Sequence, residues 1–301
     1  MRLVQSVPEQ GVGFAVAVGS MVGKDHFDAG TNCQDAYAVQ TDGRRLVAVV
    51  SDGCGSCPAS EVGAVLVSRL VCSAMVDRFR DLDGVSMPDG IDECAEIYSL
   101  PMKLVWERVV DNIRLVAGEM VRHGVEANTP VNECLLATAV AVVVDPDSVA
   151  VFSIGDGFFA VNGAVEEIVP PALNGPAYVG YAAMTEGVGM DPSHYSSFRF
   201  HGRWPAASVR SAMVATDGVR FLLPDHEGKD RVAADGAPAP LRSLWQDDSM
   251  FAGRDNMRRF LFRCRCDLRR KDGVARGLLR DDTAVVSLRR VRATVAAGAT
   301  T

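Results

Sequence analysis

Leu46-Val-Ala-Val-Val-Ser-Asp52-Gly53-Cys54-Gly55 is an apolar run that stops on an aspartate and a glycine. Short, β-branched and closed by turn residues, it has the composition of a buried strand. Ser211-Ala-Met-Val-Ala-Thr216-Asp217-Gly218 repeats the pattern. Asp-Gly is in itself a turn dipeptide, and it recurs at Asp42, Asp83, Asp89, Asp235 and Asp272. Asp42-Gly43 leads straight into another strand-like run, as a hairpin turn should. After Asp52-Gly53 and Asp217-Gly218 the chain heads toward helical stretches, so a simple hairpin does not explain those two.

Working outward, further strand-like runs lie at 13–18, 35–40, 138–144, 149–154, 158–161 and 283–288. Two long helical stretches separate the run at 46–50 from that at 138–144. The first places Val62, Val65, Leu66 and Leu70 on one face, and the second Val105, Val109, Ile113, Val116 and Met120. Pro101 is expected to open the second helix. Asp42-Gly43, Asp145-Pro146-Asp147 and Asp156-Gly157 each join two runs, so sequence neighbours are expected to pair as antiparallel hairpins. The pattern predicts an α+β layered domain and not a parallel doubly wound sheet. Residues 162–210 carry Pro170, Pro171, Pro176, Pro192 and Pro205 and read as one long irregular excursion. A helical stretch near 252–271 precedes the last strand. No repeat or linker divides the chain, so a single domain over 1–292 with a disordered tail at 293–301 is expected.

A 301-residue chain that is 48% hydrophobic has ample material for a core. Its net charge of -7 argues against general nucleic-acid binding, which needs a basic surface. The absence of a long apolar run or a secretory leader predicts a cytoplasmic protein that does not engage a membrane. Cys72 and Cys134 lie within apolar or periodic segments and read as reduced thiols, with no structural disulfide expected. Cys54-Gly-Ser-Cys57 has redox or half-zinc spacing, but Cys264-Arg-Cys266 does not supply the matching pair. Cys33 and Cys54 flank the aspartates as oxidant-sensitive thiols or as small loop fillers. Arg254, Arg258, Arg259, Arg263, Arg265, Arg269, Arg270 and Lys271 form a solvated basic face or a docking surface for acidic partners.

Asp52 and Asp217 end their strands, whereas Asp35 and Asp281 begin theirs. Antiparallel neighbours bring starts and ends to one edge, with strands about 4.8 Å apart. Four carboxylates crowded there resist joint ionisation, and a divalent cation resolves the conflict. Hard oxygen ligands favour magnesium or manganese over zinc, and Gly53 leaves its carbonyl free to approach an ion. The alternative is that these are turn aspartates gathered by coincidence.

Asn32-Cys33-Gln34-Asp35-Ala36, Val50-Ser51-Asp52-Gly53-Cys54-Gly55, Ala137-Thr138-Ala139-Val140, Ile154-Gly155-Asp156, Ala215-Thr216-Asp217-Gly218 and Arg280-Asp281-Asp282-Thr283 together resemble the protein phosphatase 2C family, in its bacterial branch. The resemblance implies a central antiparallel β-sandwich flanked by helices, with two manganese or magnesium ions at one end. Asp52 would bridge both ions, Asp217 and Asp281 would complete one shell, and Asp35 with the Gly53 carbonyl would serve the other. Gln34 stands where many relatives carry a glutamate, and Asp156 and Asp282 would support the site. Glu133 falls near the acid that some members offer to a weakly held third ion. Gly30 occupies the place of a frequent phosphate-binding arginine, which leaves Lys24 and His26 as candidates, and Cys54 replaces a histidine.

The implied reaction is hydrolysis of a phosphoserine or phosphothreonine ester by a hydroxide held between the two ions. The segment at 162–210 would be the family's flap, and a serine/threonine kinase would oppose the enzyme. Two rivals stand beside this reading: a pseudophosphatase that binds phosphoproteins without turnover, motivated by Gln34, Gly30 and Cys54, and a thiol redox or zinc protein.

Overall fold

The valine-rich runs form two five-stranded antiparallel sheets. The computed structural model describes residues 13–291 apart from 86, 89, 123, 125, 170–174, 185–187, 226, 227, 234, 235, 238, 271 and 272, and the expected tail at 293–301 lies outside them. In chain order the elements are β1 (Phe14–Met21), α1 (Lys24–Ala29), β2 (Asp35–Thr41), β3 (Leu46–Asp52), α2 (Ser60–Phe79), α3 (Ile91–Arg122), β4 (Ala139–Val144), β5 (Ser148–Ile154), β6 (Gly157–Val161), β7 (Ala164–Ile168), β8 (Arg199–Pro205), β9 (Ser211–Ala215), α4 (Ser243–Gln246), α5 (Asp248–Phe251), α6 (Asn256–Arg265), β10 (Leu268–Arg270), β11 (Gly273–Ala275) and β12 (Thr283–Arg290). One sheet runs β2-β3-β4-β5-β8 and the other β1-β12-β9-β6-β7, with β10 and β11 forming a separate small hairpin.

Strands that are apolar on both faces can be covered twice. Ala48, Val50, Val142 and Val151 of the first sheet meet Phe159, Val214, Val286 and Leu288 of the second. Val47, Val49, Ala141 and Phe152 turn outward under α2 and α3. Phe158, Ala160, Met213 and Val285 turn outward under α4, α5 and α6. The order is helix, sheet, sheet, helix, an α+β fold of the architecture the resemblance implied. No helix among the described residues is long and apolar enough to cross a membrane.

Local departures from the sequence expectations have identifiable causes. Asp156-Gly157 is not a hairpin turn, because β5 and β6 belong to different sheets. Gly155 at φ 86° and Gly157 at φ 138° carry the chain from one layer to the other, and a Cβ on Gly155 would lie 2.5 Å from Thr138 Cγ2. A dipeptide marks a turn without saying which sheet the next strand joins. Pro101 does not open α3 but sits inside it. Cys94 and Tyr98 are buried in the preceding turns, and that packing outweighs the hydrogen bond the proline removes.

In α2, Val62 and Val65 are exposed, while Ala64, Val67, Val71 and Met75 are buried. That helix is apolar nearly all round, so its periodicity could not select a face; the close approach of Gly63 to Cys134 and Leu135 does. The excursion at 162–210 is not wholly irregular, since β7 pairs with β6 and β8 with β5. Of the arginine-rich stretch, Arg265 stacks over Phe27 at 4.4 Å and Phe262 at 5.0 Å.

Gly63→Ala gains helix propensity but drives a Cβ to 2.6 Å from the Cys134 carbonyl oxygen, and it should destabilise by about 1–3 kcal/mol. Gly118→Ala, with no heavy atom within 4 Å, should stabilise by about 0.5–1 kcal/mol; urea melts of both variants test the pair. His201 has Nε2 2.7 Å from Ser153 Oγ, and burial, then Arg199, pushes its pKa down to about 4. The unfolded chain takes this proton first, so stability should fall as pH drops from 6.5 toward 4. His201→Gln should flatten that slope in melts recorded across the same range.

Candidate metal centre

Register alone sets the first pair of acids face to face, because Asp35 opens β2 and lies directly opposite Asp52, which closes β3. Burial, followed by the charges of Cys33 and Asp282, pushes Asp35 well above the carboxylate range. Burial, followed by Asp35 and Asp217, does the same to Asp52. The two carboxyls hydrogen-bond to each other, and Thr216 Oγ1 donates to Asp35 Oδ2 at 2.5 Å.

The second sheet supplies the other acids at the same rim. Asp217 follows β9 and starts a 3-10 turn, Asp217–Leu222. Burial and then the Asp281 charge push it up to about 6. Asp281 lies just before β12, and its Oδ1 accepts the Asp282 N–H at 2.9 Å. Asp156 sits where the chain crosses between the sheets, and its charge is felt at both Asp52 and Asp217.

Asp282 has a different task. Its side chain is 2% exposed, and it accepts from Gly23 N–H at 2.6 Å and Gln34 N–H at 2.5 Å, with His26 Nδ1 3.0 Å away. It ties β12 to the connection between β1 and β2. Both sequence candidates for phosphate contact are thereby engaged elsewhere. His26 holds Asp282, and Lys24 pairs with Asp28 and, at 3.3 Å, with Asp267. Glu133 is exposed on the short π-helical turn Val131–Leu135 and its charge is felt at Cys134. Cys54 and Cys57 are free thiols that hydrogen-bond to each other beside Asp52.

The residues present fit divalent cations. Gln34 Oε1 and Asp156 Oδ1 are buried without a hydrogen-bond partner, two orphaned acceptors at a rim already crowded with carboxylates. A Cβ on Gly53 would lie 2.7 Å from Ser60 O and 2.8 Å from Gln34 O, so only glycine fits there. The Gly53 carbonyl is also left out of the adjoining ladder, whose bonds run from Cys54 N–H to Leu136 O and from Thr138 N–H to Asp52 O. Among the described residues no three His, Cys, Asp or Glu side chains converge as a ready ligand set. An ion held here would rest on carboxylate pairs, the Gly53 carbonyl and water, a shell typical of hard cations. Reading the sequence alone missed Thr216, Arg220 and Glu167; the one available pointer to the first two was their place beside Asp217.

The family described as protein phosphatase 2C matches residues 22–261. The fold is similar to that of a bacterial serine phosphatase, with a TM-score of 0.50 and 14% identity over 92% of this chain and 97% of that chain. A mutated form of a bacterial serine phosphatase aligns with a TM-score of 0.51 and 13% identity over 94% of this chain and all (100%) of that one. The serine/threonine phosphatase Stp1 from Staphylococcus aureus aligns with a TM-score of 0.49 and 14% identity over 96% and 100% of the respective chains. No curated protein sequence matches the chain.

Asp52→Asn removes one of the buried like charges, so the metal-free variant should melt above the metal-free wild type by roughly 3 °C. The same variant should lose the rise in melting temperature that manganese gives the wild type. Thermal melts with chelator and with manganese measure both effects.

Proposed function

The chain belongs to the protein phosphatase 2C family, and we propose that it is a metal-dependent protein-serine/threonine phosphatase. The observation that carries this reading is the meeting of Asp35 and Asp52 from one sheet with Asp217 and Asp281 from the other at a single rim. A structural core has no use for four acids, one buried and three half-buried, gathered at one rim. A site for divalent cations does.

In this reading Asp35, Asp52, Asp217, Asp281 and the Gly53 carbonyl would hold two manganese or magnesium ions, with Asp52 the acid both would depend on. When bound, such ions neutralise phosphoryl oxygens and bring an attacking water toward ionisation at neutral pH. The chain's own groups position and polarise. Thr216 fixes the rotamer of Asp35 through its hydroxyl, and Asp282 fixes the backbone of Gln34. The orphaned Gln34 Oε1 and Asp156 Oδ1 would be free to accept hydrogen bonds from water admitted to the site. The Gln34 amide orients such a water without adding charge, which leaves that side of the centre less negative than a glutamate would.

No cysteine nucleophile takes part. Cys54 lies where its sulfur contacts Ser56 Oγ at 3.2 Å and the Tyr178 hydroxyl, inside the wall of the site. The substrate would be a phosphoserine or phosphothreonine side chain presented by another protein, and a serine/threonine kinase is the partner such an activity opposes in the cytoplasm.

Hydrolysis of p-nitrophenyl phosphate and of a phosphothreonine peptide in manganese, against a chelated control, tests the proposal. Asp52→Asn should lower turnover by a factor on the order of 10³, and Asp35→Asn by clearly less. Equal, modest losses in the two would refute a shared role for Asp52. Metal-loaded wild type that binds the peptide without turnover would indicate a binding module instead.

A further inference from the structure

The rim of the site is acidic: Asp35 lies opposite Asp52, the charges of Asp156 and Asp217 are felt at Asp52 and that of Asp281 at Asp217, and a phosphate ester is itself an anion. Gly30, at φ 75°, presents no side chain. Lys24 and His26 are bound to acids of their own. The cation whose charge reaches both Asp156 and Asp217 is Arg220.

Arg220 sits within the 3-10 turn Asp217–Leu222, close enough to its first residue for its Nε to donate to the Asp217 carbonyl at 3.3 Å. Its Nη2 lies 3.3 Å from Asp217 Oδ2 and 3.4 Å from Glu167 Oε1 on β7. The side chain is 45% exposed and Glu167 50%, so these pairs are long, solvated and weak. A guanidinium is a planar fork of five donors that matches phosphate oxygens two at a time. The Nε bond to the turn backbone keeps the base of this fork at the rim while the Nη groups have only exchangeable partners.

We propose that Arg220 is a phosphate-binding residue, its Nη groups exchanging Asp217 and Glu167 for two oxygens of the phosphate ester. The assignment rests on the phosphatase reading above. Glu167 then becomes the resting partner that parks the fork, and the β6–β7 hairpin becomes part of the substrate mouth. The competing role is that of a counter-ion that only neutralises Asp217.

Inorganic phosphate separates the two roles. Wild type, Arg220→Ala and Arg220→Lys, each loaded with manganese, are titrated with phosphate by calorimetry. In parallel, KM for p-nitrophenyl phosphate, inhibition by phosphate and the manganese concentration for half-maximal rate are measured. Arg220→Ala should weaken phosphate binding and raise KM by about tenfold or more, as loss of a charged hydrogen-bond donor does, with the manganese requirement near that of wild type. Arg220→Lys should recover part of this, because it restores the charge without the fork. Unchanged phosphate binding in Arg220→Ala, with manganese bound more tightly, overturns the proposal in favour of the counter-ion. A wild type that binds phosphate but hydrolyses no ester overturns the phosphatase reading, and the same titrations still decide the role of Arg220.

Discussion

The contact on which most of this architecture turns is a buried carboxylate. Asp282 accepts from the backbone of Gly23 and of Gln34 and receives His26, so one side chain just before the last strand fixes the connection between the first two. Burial works against a charged imidazole at His26, yet Asp282 holds its pKa above the ordinary value. The join is tight. A Cβ on Gly23 would lie 2.2 Å from the Asp281 carbonyl carbon, and one on Gly218 would lie 1.9 Å from the Asp282 carbonyl oxygen. The two sheets are thereby pinned at the end where the acids collect, and Asp35 inherits its position from Gln34 beside it.

That end is held together against its own electrostatics. Asp35, Asp52 and Asp217 all titrate upward, chiefly through burial. The opposite end of the first sheet shows the contrasting solution. There Arg45, 3% exposed, gathers Asp42 at 3.5 Å, Asp83 and Asp145 into one ion cluster at the β2–β3 and β4–β5 turns. One end has its charges balanced within the chain. At the other, acids crowd together, and Arg220 is the cation whose charge reaches Asp156 and Asp217.

The parts of the fold that were legible in the sequence are those that local chemistry dictates. Valine-rich runs alternate or stay apolar because they are strands, and Asp35, Asp52, Asp217 and Asp281 could be placed at one rim because strand direction fixes where a strand starts and ends. What escaped depended on partners distant in sequence. Asp156-Gly157 has the same dipeptide as a hairpin turn, but Thr138 and Ala215 crowd its glycines and send the strand to the other sheet. Pro101 was a helix start by propensity, overruled by the packing of Tyr98 against Phe79 and Phe152 at 5.5 and 5.3 Å. Asp282 reads as a neighbour of a ligand, and only the tertiary structure reveals it as a clamp. Arg220 sits near an acid in many possible folds, and no pattern in the sequence marks which acid it will share.

The strand order bears on how the chain is made. By residue 205 every strand of the first sheet has been synthesised, together with α2 and α3, which cover its outer face. That half can fold while translation continues. In the second sheet β12 lies between β1 and β9, so β1, the earliest of the described strands, has no sheet partner among them until β12 is made. Until then β9, β6 and β7 can cover only part of the inner apolar face of the finished sheet, and Asp281 is the rim acid still to come. The state most in need of a chaperone is therefore the one that precedes β12, with one complete sheet and the β9 edge of the second still unpaired.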